Sequence, residues 1–219
     1  MKRSGNKSPF RFAASWLSAF ITRYILPSVF LLCLGACSQG GKGGGSIPVF
    51  PEGTELRDGD LICRLGTSWY SGLFRKKASS AQEYSHIGII LYAGTDSCSV
   101  IHTEEDPSSG HGGVALESLS SFLAHSRRAG IYRLHLPDSV LSHFVRAALD
   151  YRERQVPFDF AFDSASDAEL YCSELVAAAL LKADSLLPIR PSTSVAGRRV
   201  YSLDDLLLFP GTECIALTN

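Results

Sequence analysis

The sequence predicts an α+β domain, a mostly antiparallel sheet packed against two principal helices. Residues 60–136 are dominated by short β-branched runs, and two later segments carry apolar residues at helical spacing. The strongest strand and the one after it are joined through the short turn Ala93-Gly94-Thr95-Asp96, so they run antiparallel.

The elements follow in chain order. Asp60 to Arg64 reads as a first strand. Ser85 to Tyr92 is a second, apolar on both faces through Ile87, Ile89, Ile90 and Leu91, which predicts burial on both sides. Ser99 to Thr103 and Gly113 to Leu116 continue the β pattern, Glu117 to His125 is expected as a short helix, and Gly130 to Leu136 returns to strand. Ser139 to Gln155 is the clearest helix. Val140, Leu141, Phe144, Val145, Ala148 and Leu149 form one stripe, Asp138 or Ser139 serves as N-cap after Pro137, and Pro157 stops it. A second helix opens at Cys172, with Leu175, Val176, Ala179 and Leu180 at helical spacing, and ends near Asp184. Arg190 to Arg199 reads as loop, Ser202 caps a short turn through Leu207, and Cys214 to Leu217 adds a last strand.

The N-terminal end has a different character. Lys2, Arg3, Lys7, Arg11 and Arg23 are basic, no acidic residue precedes Glu52, and an apolar run spans Tyr24 to Ala36. That run is too short to cross a bilayer comfortably, which favours an export signal over a membrane helix. Leu34-Gly35-Ala36-Cys37 resembles a bacterial lipobox, which implies cleavage before Cys37 and a lipid on that residue. Residues 1–36 are thus expected as a lipoprotein signal peptide, 37–50 as a glycine-rich flexible tether, and 51–219 as the folded domain. The chain would then face outside the cytoplasm in a bacterial cell envelope, held to a membrane by its anchor. Of the 21 Lys and Arg, five lie in the signal; the remaining 16 face 22 Asp and Glu, a formal net charge of −6. With no basic run or stripe in the folded part, nucleic acid is not an expected partner.

Of six cysteines, Cys63, Cys98, Cys172 and Cys214 remain in the domain, too widely spaced for a structural metal pattern. Cys172 stands out. It lies where the acidic loop from Phe158 to Glu169 turns into an apolar helix, so the unpaired N–H groups and the dipole of the helix N-terminus favour thiolate there. The same N–H groups suit an oxyanion. A cysteine at such a place more often packs as a small hydrophobe, so the case depends on a base. His86 is the polar exception in a buried strand. If the hairpin is centred on Gly94, His86 and His102 oppose one another on one face, and one imidazole orients the other. A one-residue slip would separate them to opposite faces. His111, His125, His135 and His143 carry no comparable context. Asp60, after a glycine, reads as a structural turn or edge residue, and Asp159 as an acceptor for backbone N–H groups. Tyr84, Tyr171 and Trp69 read as core more than cleft.

The succession Gly59-Asp60-Leu61-Ile62, Tyr84-Ser85-His86-Ile87-Gly88-Ile89, Val100-Ile101-His102, Phe158-Asp159-Phe160 and Tyr171-Cys172-Ser173-Glu174-Leu175-Val176 resembles the permuted papain-like amidases of the YiiX/YaeF type. These belong to the wider superfamily of NlpC-like cell-wall hydrolases and lecithin–retinol acyltransferases. The resemblance covers most of residues 55–217. It implies a circularly permuted papain-like fold in which the histidine strand precedes the cysteine helix. It further implies Cys172 as nucleophile, His86 as base and His102 as the third polar group, with Glu104 an alternative in that last role.

The expected function is a lipid-anchored envelope cysteine amidase or peptidase working through a Cys172 thioester, without metal or organic cofactor. A peptide or amide substrate, with peptidoglycan stem peptides as one source, fits the envelope location and the cell-wall relatives. An acyl-lipid thioesterase or acyltransferase on the same residues is the rival within enzymes, and a non-catalytic binding lipoprotein is the rival outside them.

Overall fold

Ile87, Ile89, Ile90 and Leu91, interrupted only by Gly88, leave this stretch no polar face to give to water, so it must lie inside a sheet covered on both sides. The computed structural model places it there. The structure describes residues 47–66, 84–106, 111–195 and 197–218. The signal peptide, Cys37 and Trp69 lie outside the described residues.

The chain runs through β1 (Leu61–Gly66), β2 (His86–Leu91), β3 (Ser99–Asp106), β4 (His111–Ser118), α1 (Leu119–Ala124) and β5 (Ser126–Leu134). It continues through α2 (Asp138–Glu153), α3 (Cys172–Ala183), β6 (Thr193–Val195), β7 (Arg198–Val200), α4 (Asp204–Leu207) and β8 (Thr212–Leu217). Six strands form one sheet in the order β4-β3-β2-β1-β5-β8, and every neighbouring pair is antiparallel. On one face, Leu61, Cys63, Ile87, Ile89, Leu91 and Ile101 pack with Phe144 and Ala148 of α2 and Leu175, Val176 and Leu180 of α3. On the other face Ile62, Ile90, Val100 and Ile131 pack with Phe122 and Leu123 of α1. Phe50 and Leu56 close over this second cluster. Among the described residues no helix is long and apolar enough to cross a membrane.

Asp60 is 2 % exposed and structural. It accepts the Arg57 N–H, and Arg133 of β5 donates to both its oxygens, at 2.9 and 2.7 Å. This bidentate pair ties the entry of β1 to the strand beside it.

The expected antiparallel sheet with two principal helices is present, with two corrections. Residue 117 belongs to β4, which runs to Ser118. There the Ser118 hydroxyl accepts the Ser121 N–H and starts α1 at Leu119. Within 190–199, read as loop, β6 and β7 pair antiparallel, from Thr193↔Val200 to Val195↔Arg198.

Candidate active site

Alternation along a strand decides which side chains can meet, and pairing between strands decides how closely. Arg64 of β1 pairs directly with His86 of β2. The β2–β3 pairing reads Leu91↔Ser99, Ile90↔Val100 and Ile89↔Ile101, and ends there. Continued, it would set His86 opposite Glu104, with His102 two residues along. The hairpin is therefore offset by two residues from one centred on Gly94. An offset of two preserves the face, so the imidazoles still meet, diagonally. His86 Nε2 lies 2.9 Å from His102 Nδ1, with the rings edge-to-face at 5.0 Å between centroids.

Gly88 makes this diagonal possible. A Cβ there would stand 2.5 Å from Val100 Cγ1 and 3.2 Å from His102 Cβ. Gly88→Ala is accordingly expected to cost about 1–3 kcal/mol through overpacking and to push His102 from His86. Thermal unfolding together with the histidine ring signals in NMR would check both; unaltered ring signals would show that β3 yields elsewhere.

Phe122, fully buried in α1, supports the group from below. Its ring centroid lies 5.9 Å from that of His86, 5.5 Å from that of His102 and 4.2 Å from the Arg64 guanidinium carbon. Arg64 is itself buried and donates to the Phe122 carbonyl at 3.1 Å. Its guanidinium also meets Glu104 and Glu117, each at 3.5 Å. Glu104, the alternative third residue, is 52 % exposed and meets Arg64. His102, fully buried, is the residue set against His86.

Glu117, which sequence reasoning missed, is the remaining partner. Its Oε1 lies 3.1 Å from His102 Nε2, although the carboxylate sits off the ring N–H axis, so the contact is close without ideal alignment. The pairs His102↔Ala115 and Val100↔Glu117 put it diagonal to His102 on the same face. Placing residue 117 at the end of a strand, where alternation reaches it, was the signal that would have revealed it.

Cys172 opens α3 and is half-buried. The N–H groups of Ile87, beyond the end of the β2–β3 pairing, of Ser173 and of Cys172 itself lie near its sulfur and favour the thiolate. The thiol thus sits against the residue that follows His86. The first turn of α3 is anchored from several sides. Ser173 Oγ donates to the Tyr201 carbonyl at 2.7 Å, and Tyr201 N–H donates to the Tyr171 hydroxyl at 2.6 Å. Tyr171 N–H donates to Glu174 at 3.4 Å. The loop leading in is held by Asp159, which accepts the N–H groups of Ala161 and Asp163. Tyr84 and Tyr171 are both buried core residues.

Electrostatically the thiol departs from the helix-terminus expectation. Burial pushes the Cys172 thiol up, against the lowering effect of the three N–H donors and of Arg64. Burial, then the charges of Arg64 and His102, push His86 well below the ordinary imidazole value. Desolvation outweighs the helix dipole at this position, and the neutral thiol and neutral imidazole are favoured. Cys63, Cys98 and Cys172 carry free thiols.

His102, Glu104 and Glu117 also bring three potential metal-ligand atoms within 4.8 Å of one another.

A cysteine at a helix N-terminus, with paired histidines on two adjacent strands earlier in the chain, defines a papain-like hydrolase architecture in permuted order. Residues 55–208 match the permuted papain-like amidase enzymes of the YaeF/YiiX type, the C92 family, and the chain belongs to that family. Its fold is similar to the crystal structure of metalloprotein YiiX from Escherichia coli O157:H7, with a TM-score of 0.58 and 19 % identity over 74 % of this chain and 97 % of that one. No curated protein matches the chain.

Proposed function

We propose that this chain is a lipid-anchored envelope cysteine amidase that cleaves an amide bond, with peptidoglycan stem peptides as the substrate class. The observation that carries the reading is the 2.9 Å contact of His86 Nε2 with His102 Nδ1, beside a thiol held by the N–H of the residue next to His86. Because Nε2 is engaged, Nδ1 of His86 is the nitrogen that serves the thiol. The Cys172 proton passes to Nδ1 as the sulfur attacks the carbonyl carbon. The Cys172 N–H, which touches the sulfur at rest, donates to the oxyanion. His86 then returns the proton to the leaving amine, and the C–N bond breaks to leave a thioester on Cys172. Water, giving its proton to His86, attacks the thioester and frees the carboxylic acid and the thiol. His102 orients the base throughout. Cys37 would carry the lipid that holds the enzyme at a membrane on the outer side of the cytoplasm.

The similar protein is described as a metalloprotein, and three donors converge in this chain too. Arg64 decides the fit. Its buried guanidinium stands 3.5 Å from an oxygen of each carboxylate and is fixed by Phe122, so a positive charge already occupies the place of a cation. These residues do not fit a resident metal, and the mechanism above routes nothing through one.

Incubation of the full chain with muropeptides and, separately, with acyl esters, followed by acid quench and mass measurement, tests the reading. The expected result is stem-peptide cleavage with a transient acyl adduct on Cys172, both absent in Cys172→Ala. An adduct from acyl esters alone would replace the amidase by a thioesterase, and no adduct from either would leave a binding lipoprotein.

A further inference from the structure

We infer that Glu117, braced by Arg64 and Ser121, is a positioning residue that fixes which nitrogen of each histidine carries its proton. The inference rests on the reading of His86 and His102 given above and extends it by one member.

Glu117 reaches the pair from the far end. Its Oε1 is 3.1 Å from His102 Nε2 and 3.5 Å from Arg64 Nη1, and its Oε2 accepts the Ser121 hydroxyl at 2.6 Å. Burial alone would raise this carboxyl; the His102 ring beside it, the Ser121 hydroxyl and the Arg64 charge bring it down to about 2. It is therefore a carboxylate at any working pH and only accepts. A bare His102 Nε2 would set a lone pair 3.1 Å from a carboxylate oxygen, which their like charge opposes, so Nε2 carries the hydrogen. His102 Nδ1 is then an acceptor, and the 2.9 Å contact requires the hydrogen on His86 Nε2. His86 Nδ1 is left bare, which is the form able to take the thiol proton. One carboxylate, with a single ring between it and the base, thus sets the tautomer of the base.

Glu117→Gln reverses the logic without changing the shape. Ser121 Oγ, 2.6 Å from the Oε2 position, competes with Arg64 for the single amide oxygen; with that oxygen on the Ser121 side, the amide N–H groups face His102 Nε2. That nitrogen must then accept, which moves the hydrogens to Nδ1 of His102 and Nδ1 of His86. A base already protonated on its working nitrogen cannot serve, and a wrong tautomer in a comparable triad costs about 10⁴-fold in turnover.

The test uses the full chain with ¹⁵N-labelled histidine, reading tautomers from long-range ¹H–¹⁵N correlations, with turnover measured in parallel. In the native protein both rings should carry hydrogen on Nε2. In Glu117→Gln both should switch to Nδ1, with kcat down about 10³–10⁴-fold and KM unchanged. Glu117→Asp, which keeps the charge, should recover the native tautomers. Hydrogen on His86 Nδ1 in the native protein, or tautomers unmoved in Glu117→Gln, would overturn the inference. The NMR readout needs no substrate, so an inert Cys172 would count against the amidase reading alone.

Discussion

His86→Ala should lower turnover by about 10²–10⁴-fold, the usual contribution of a positioned general base, and should erase the acid limb of the pH profile. Burial, Arg64 and His102 together hold the His86 imidazole well below its ordinary 6.5. The base form is therefore present through the neutral range, and lowering the pH removes activity only when it passes well below that value. Burial raises the thiol over the same range, so no thiolate–imidazolium pair waits in the free protein and the proton moves during attack. A native profile of kcat/KM with its acid limb below 6.5, and no such limb in the residual activity of His86→Ala, is the expected pair of results. An acid limb at or above 6.5, or identical profiles, would show that another group is the base. Alkylation should agree. The thiol of the free protein should titrate above the ordinary cysteine value of about 8.5, in contrast to cysteine hydrolases that rest as ion pairs.

The fold was legible where side-chain pattern and burial agree. Ile87 to Leu91 cannot occupy an edge, and the strand lies inside the sheet with apolar clusters on both faces. The helix stripe ending at Pro157 gave α2, and Asp159 holds backbone N–H groups as its position between phenylalanines suggested. The meeting of His86 and His102 was legible for a more forgiving reason. Side chains alternate with period two, so a register displaced by two residues keeps both rings on one face. What sequence could not supply was anything decided across several strands at once. Arg64 ends an apolar run, and nothing local says that its guanidinium will be buried over Phe122 between two carboxylates. Glu117 adjoins the Ser118 cap, so the strand-to-helix boundary hid it. The pairing of β6 with β7 was hidden by its serine and arginine content. At Cys172 the terminus argument was sound locally. It lost to a desolvation that arises only when the sheet closes over the helix.

Glu174→Gln should stabilise the protein at neutral pH by about 3 kcal/mol, at 1.36 kcal/mol for each pH unit between the native and unfolded ionisations. Glu174 stands in the first turn of α3, where a carboxylate ordinarily gains from the helix dipole. It is 2 % exposed, however, and burial dominates, reinforced by the nearby charges of Asp159 and Asp163. The Tyr171 N–H and Ser164 hydroxyl offset this only partly, and the carboxyl is pushed from an ordinary 4.5 up to about 8. The sign follows from proton counting. Between 4.5 and 8 the unfolded chain has released this proton and the native chain keeps it. The stability it supports is complete below the unfolded value and is lost as pH rises toward the native one. Glutamine copies the neutral acid in shape, keeps an acceptor for Tyr171 N–H and has no proton to lose. Denaturant midpoints of the two proteins should nearly coincide in mild acid, diverge as pH rises, and hold a constant gap above about 8. A gap that does not change with pH would mean that Glu174 is ionised in the native state. The neutral acid also suits the site it adjoins. Two residues from the thiol, it leaves the positive end of α3 uncompensated, and the developing oxyanion meets N–H groups with no competing carboxylate on the same turn.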